Sequence, residues 1–191
     1  MSGDRWSELI ELLDKKNVIF LDGLSNAEVG AIQQKYGFQF PPDLRDFFQT
    51  ALPKGYRFFD WRSNEGDQEA AIGEMLAWPL IGILFDVEQN DFWLPEWGAR
   101  PETEEQRRVI VEKIVANAPR LIPIYGHRYM PDQPCEEGNP ILSVYQTDII
   151  YYGFDLDDYL RHEFDLPCRR PWPETMRRIE FWDVNRWQSI R

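Results

Sequence analysis

Cysteine and histidine are nearly missing from this 191-residue chain, which carries only Cys135, Cys168, His127 and His162. Two cysteines are too few for a disulfide-stapled secreted scaffold, and that usage suits a reducing cytoplasm. The soft ligands fall at H-x7-C and H-x5-C spacings, which match no compact zinc pattern, so neither a metal nor another cofactor is expected. Cys135 sits in PDQPCEEG, where neighbouring acids raise a thiol pKa and disfavour the thiolate, so it reads as an ordinary loop cysteine. Basic residues are the minority, 21 Lys and Arg against 33 Asp and Glu, for a formal charge of -12. Nucleic-acid affinity comes mainly from Lys and Arg displacing counterions, so no nucleic-acid partner is expected. No glycine cluster joins a strand to a helix, which leaves no phosphate loop. No stretch reads as apolar for the length a membrane span needs, and the start, MSGDRWSELIELL, lacks a basic segment before an apolar one. The expectation is a cytoplasmic protein with no membrane partner.

What is abundant is apolar and aromatic: 43% hydrophobic residues, with 8 Trp, 8 Tyr and 12 Phe, enough buried surface to offset the entropy of ordering. The length suits one domain over 1–191. Trp6, Leu9, Ile10 and Leu13 fall at helical spacing, with Asn17 as a stop. Ser25 and Glu28 form a capping box, Val29, Ile32 and Tyr36 share the helix face behind it, and Gly37 ends that helix. Pro41-Pro42-Asp43 suits a helix entrance, and Leu44, Phe47, Phe48, Ala51 and Leu52 follow at i, i+3, i+4, i+7 and i+8. Pro53 stops that helix, and Tyr56 to Trp61 reads as an aromatic strand.

Farther on, Glu69 to Ala77 reads as a short helix, Leu80 to Phe85 as a strand, and DFWLPEWGARP, from Asp91 to Pro101, as an aromatic loop. A helix with an acidic first turn runs from Pro101 to Ala118. Three strands, Leu121 to Tyr125, Ile141 to Tyr145 and Asp148 to Tyr152, should pair as an antiparallel sheet. Asp155 reads as the N-cap of a helix carrying Leu156, Tyr159, Leu160 and Phe164 on one face. In the tail, Glu174 to Trp182 reads as a helix packing through Met176, Ile179 and Trp182.

The blocks S25-x-x-E28 with YGFQFPPDLRDFFQTALPKG, and GNPILSVYQTDIIYYGFDLDDYL, resemble the SUKH superfamily, the fungal cell-wall-synthesis regulators and related bacterial proteins. The resemblance covers about residues 20–165, and FWLPEWGARP with PRLIPIYGHRYMP looks like a longer bacterial branch with a helical insertion at about 91–119, leaving 166–191 as a C-terminal tail. It implies an α+β fold, a central mainly antiparallel sheet flanked by helices. It also implies a non-enzymatic, cofactor-free protein-binding role, with toxin immunity as the leading one and wall-synthesis or signalling regulation beside it. No catalytic residue comes with it.

The residues themselves offer one recognition constellation: His127-Arg128-Tyr129 after a strand, near Asn139 and Asp148 at neighbouring strand ends, with Trp93 and Trp97 as apolar walls. The other reading of the same residues is structural, with Arg128 paired to a local acid and the aromatics in a core. A carboxylate-dependent hydrolase is the alternative class, drawing on Asp148, Asp155, Asp157, Asp158 and Glu163, although capping and solvation account for the last four. The expected partner is a protein, a basic toxin domain drawn to the acidic surface.

Overall fold

The computed structural model describes residues 3–188 apart from Tyr56 and Asn64. The first third of the chain is α1 (Gly3–Asp14), β1 (Ile19–Asp22), α2 (Asn26–Tyr36), α3 (Pro42–Thr50) and β2 (Ala51–Lys54). Three of the helix boundaries follow from local chemistry. The Ser25 hydroxyl accepts the Glu28 amide at 3.2 Å while the Glu28 carboxylate accepts the Ser25 amide at 2.7 Å, so two otherwise orphaned donors are satisfied at once. Gly37 closes α2 at φ 72°, a conformation that costs a residue with a side chain more. Pro42 opens α3, where its missing amide is not needed.

Helix α3 stops at Thr50, two residues short of the expected apolar face. Pro53 disfavours the helical conformation at Leu52, and Ala51 is already extended at φ -157°. Leu52 is still buried, but as a strand residue opposite Leu21 in the antiparallel β1–β2 ladder. The expected strand from Tyr56 to Trp61 is also corrected. Tyr56 lies outside the described residues, and Phe58 makes only an isolated bridge to Tyr125 while Phe58 and Trp61 turn into the core.

The largest correction is α4 (Gly66–Gln89), a single helix of 24 residues where a short helix and a strand were expected. It also overturns the expectation that no stretch has the length and apolarity of a membrane span: α4 passes that test by length and composition, with 33% of its most apolar window buried in this fold. A 3-10 turn (Pro95–Trp97) and α5 (Glu104–Ala116) follow. Then β3 (Leu121–Tyr125), β4 (Arg128–Pro131), β5 (Ile141–Tyr145) and β6 (Asp148–Gly153) form one antiparallel sheet in sequence order, one strand more than expected. Helix α6 (Leu156–Glu163) starts on Asp155, whose carboxylate accepts the Asp158 amide at 2.9 Å. The expected helix over 174–182 is absent; the chain there is irregular, and the short α7 spans Val184–Gln188. Ile179 and Trp182 are buried as expected, and Met176 is half-buried.

The four-stranded sheet is covered on both faces, an α+β arrangement. Successive residues alternate between the two sides, as the pleat requires. Ile122, Ile124, Met130 and Ile141 join the core formed with α1, α2, α3 and α6. Leu121, Tyr129, Leu142, Val144 and Ile149 join a second core with Ile83 and Val87 of α4, Val111 of α5, and Trp182 and Trp187 of the tail.

Candidate functional site

Helix α4 carries Pro79 in its interior, where proline has no N–H to give the carbonyl four residues back. That carbonyl belongs to Met75, and the Tyr129 hydroxyl donates to it at 2.9 Å. Tyr129, expected at a recognition cleft, is fully buried, and burial pushes its phenol pKa well up. Its hydroxyl replaces a backbone donor, which lets an interrupted helix continue across the sheet.

The β5–β6 turn is clamped to the same helix. The Tyr145–Asp148 pair leaves Gln146 and Thr147 at the tip, with Gln146 at φ 56°. A Cβ on Gly82 would stand 2.7 Å from the Gln146 Cα, so only glycine admits the turn this close to α4. The buried Asp86 carboxylate then accepts the Thr147 amide at 2.9 Å and the Thr147 hydroxyl at 2.6 Å. These contacts fix Tyr145 beside α4, its ring 6.3 Å from that of Trp78.

On its outer side α4 presents Trp78, Ile81 and Phe85, at i, i+3 and i+7, so they form one stripe. Their exposures are 37%, 54% and 50%, and Tyr145 beside them is 55% exposed. Between α4 and α5, a cavity of about 270 Å³ is lined by Ile81, Leu84 and Phe85, with Glu88, Glu104 and Arg108 at its polar side. The Arg107 guanidinium donates to Glu88 and holds that carboxylate below its usual range, tying α5 to α4. The stripe therefore sits on a braced pair of helices.

At the far side of Tyr145 the surface turns cationic. The His127 ring lies 6.4 Å from that of Tyr145, the Arg57 Nη2 is 3.2 Å from His127 Nδ1, and Arg128 Nη1 faces His127 Nε2. Arg128 is itself engaged: it donates to the Ser143 hydroxyl at 2.8 Å, pairs with Glu163 at 3.3 Å, and lies 3.7 Å over the Tyr152 ring. Burial, then the two guanidiniums, push the His127 pKa down, which favours the neutral imidazole.

The other expected site residues lie elsewhere. Trp97 is buried against Phe92, Trp93 and Trp187, and the Trp93 indole donates to the Gly98 carbonyl at 2.8 Å. Both pack in the second core, while His127 and Arg128 meet Tyr145 and Tyr152. Asn139 is fully buried, donating to the Pro131 and Pro134 carbonyls at 3.0 and 2.8 Å and accepting from Arg177 at 2.8 Å, so it pins the loop between β4 and β5. Asp148 is exposed at the start of β6. The stripe of Trp78, Ile81 and Phe85 escapes the sequence reading, which ends a helix at Ala77 and starts a strand at Leu80 and so separates Trp78 from Ile81 and Phe85. Read at helical period across the proline, their spacing is the signal.

Four of the five carboxylates open to hydrolytic chemistry are engaged in caps or ion pairs, and Asp148 is the exposed one. Asp155 caps α6, Asp157 pairs with Arg161 at 2.9 Å, Asp158 accepts the Phe154 amide at 3.2 Å, and Glu163 holds Arg128. Among the described residues no group of three or more His, Cys, Asp or Glu side chains is placed to hold a metal ion. The Cys135 thiol pKa is raised by burial and by Asp132 and Asp43. No family model, curated protein or solved structure matches this chain.

Proposed function

We propose that this chain is a non-enzymatic, protein-binding domain of the SUKH type, acting in the cytoplasm as a toxin-immunity protein. The observation that carries the reading is the exposed stripe of Trp78, Ile81 and Phe85 continued by Tyr145. Soluble proteins rarely leave contiguous aromatic and aliphatic surface in water unless something covers it, and Trp and Tyr are common interface anchors. The resemblance of the helix, Pro-containing entrance, helix and closing strand pair to SUKH domains supplies the immunity role. The docking face moves from Trp93 and Trp97 to α4.

The partner is a basic toxin domain. A net charge of -12 raises its local concentration, and the exposed Glu74, one turn before Trp78 on α4, carries that sign to the stripe. The test is to measure association and dissociation rates with a toxin domain encoded beside this gene, at two salt concentrations. Association should slow as salt rises, because the Debye length shrinks from about 10 Å at 0.1 M. Trp78→Ala and Phe85→Ala should each speed dissociation, with anchors of this kind worth roughly 2 kcal/mol, about 30-fold. Stripe variants that dissociate at the wild-type rate would remove α4 as the docking face.

A further inference from the structure

Arg57 is an exposed cation that the ion pairs of this fold leave to solvent. In a chain this acidic, no carboxylate among the described residues pairs with it, although its neighbours Lys54 and Arg62 are matched by Asp60 at 3.3 Å and Glu28 at 2.5 Å. Its guanidinium lies over the Tyr125 ring at 5.5 Å, and it presses on Gly126, where a Cβ would meet its Nε and Nη2 at 2.6 Å.

The second observation is a donor conflict. A neutral imidazole has one N–H and one lone-pair nitrogen, yet a guanidinium faces each nitrogen of His127. Whichever arginine uses the lone pair, the other points its N–H at an N–H. Arg128 has Ser143 and Glu163 as acceptors in either case. Among the described residues no other acceptor meets the Arg57 side chain, so an acceptor placed against Arg57 and the edge of His127 would replace water at the first and relieve the donor clash at the second. Arg57 also borders a cavity of about 600 Å³ whose rim mixes the cations Lys54 and Arg62 with the acids Asp60 and Glu65; of its three cations only Arg57 has no carboxylate partner among the described residues.

From this geometry we infer that Arg57 and His127 form the receptor for a carboxylate of the partner protein, seated at the end of the apolar stripe beside Tyr145. The inference rests on the docking reading above and names the partner's chemistry at that face: an Asp, Glu or C-terminal carboxylate one ring's width from an apolar anchor. Shape supports a carboxylate, since a guanidinium edge takes its two oxygens in parallel. Charge complementarity supports it too, because the carboxylate meets a local cationic spot in a protein whose overall field repels it. Such a partner is basic overall with one acid at the contact. That acid would set register rather than steer the encounter.

The test uses N-acetyl-tryptophan, which joins an aromatic ring to a carboxylate, with N-acetyl-tryptophanamide as the same ring without the charge. With two histidines in the chain, NMR of the imidazoles reads His127 directly and uses His162 as an internal reference. The acid should shift the His127 resonances saturably and raise its pKa, while the amide should not. Arg57→Gln should weaken the acid's binding roughly tenfold or more, and Arg57→Lys should restore part of it. Arg57 is exposed, so these variants fold, and an unchanged His162 signal verifies it. A His127 signal unmoved by the acid, or moved equally by the amide, overturns the carboxylate receptor. Inorganic phosphate binding more tightly than the acid overturns the choice of carboxylate. These readouts are independent of the toxin kinetics: wild-type dissociation from Trp78→Ala and Phe85→Ala defeats the docking face, while a silent His127 defeats only the receptor.

Discussion

Removing the Tyr129 hydroxyl isolates a single atom's contribution to α4. The variant Tyr129→Phe keeps the fully buried ring and deletes only the donor that the Met75 carbonyl receives at 2.9 Å. Because Pro79 cannot supply the helical N–H, that carbonyl would then be left without its donor, and an unsatisfied buried acceptor costs about 1–3 kcal/mol. Pro79→Ala changes the arithmetic. It returns an N–H to the same carbonyl, so in that background Tyr129→Phe should cost only what an ordinary hydrogen bond contributes, about 0.5–1 kcal/mol. Urea unfolding followed by tryptophan fluorescence, on wild type, both single variants and the double, gives the coupling as a difference of differences, provided the slope with denaturant stays constant. A coupling of about 1 kcal/mol or more is expected. Additivity within about 0.5 kcal/mol would refute the claim that the hydroxyl substitutes for the missing amide.

Further expectations follow from the cores and the charged pairs. Phe47 is fully buried and edge-on to Trp6 at 5.3 Å, so Phe47→Ala should cost about 3–5 kcal/mol, seen as a large drop in the denaturant midpoint. Hydrogen bonds from Arg62 and from Ser25 lower the Glu28 pKa from 4.5 to about 2. A depressed carboxylate stabilises the fold above its unfolded pKa and loses that contribution as pH falls through the folded one. Midpoints measured from pH 5 down to about 2 should therefore fall more steeply for wild type than for Glu28→Gln. Cys135→Ser and Cys168→Ser should leave partner binding intact, with at most a small packing loss at Cys135; loss of binding in either would show that a thiol takes part.

The parts of the fold legible in the sequence are those fixed by local chemistry. The capping box at Ser25, the αL stop at Gly37, the proline entrance of α3 and the Asp155 cap each satisfy nearby backbone groups, so a few adjacent residues suffice to place them. The misreadings are places where a distant partner decides. Pro79 breaks an isolated helix, and only Tyr129, 50 residues away, repairs it. Strand β1 is four residues long and exists because β2 pairs with it. For the site, the pairing of Arg128 with Glu163 and the aromatic packing of Trp97 follow the structural reading of those residues. Arg57 was invisible, because its place beside His127 depends on Gly126 and the β3–β4 turn.

A sheet lined on both faces also imposes an order of assembly. Residues up to Leu160 contain every strand and nearly all of the first core, so that side can close while the chain is still being made. The opposite side waits for Ile179, Phe181, Trp182 and Trp187, which enter only after all strands are in place. During that interval Leu142, Val144 and Ile149 face outward with only α4 and α5 to cover them, beside a helix whose outer stripe is apolar as well. A chain that folded in sequence order would pass through a stage with two apolar surfaces, one transient and one permanent. A partner meeting such a chain before Ile179, Phe181, Trp182 and Trp187 had packed would find a larger apolar surface than the finished domain offers.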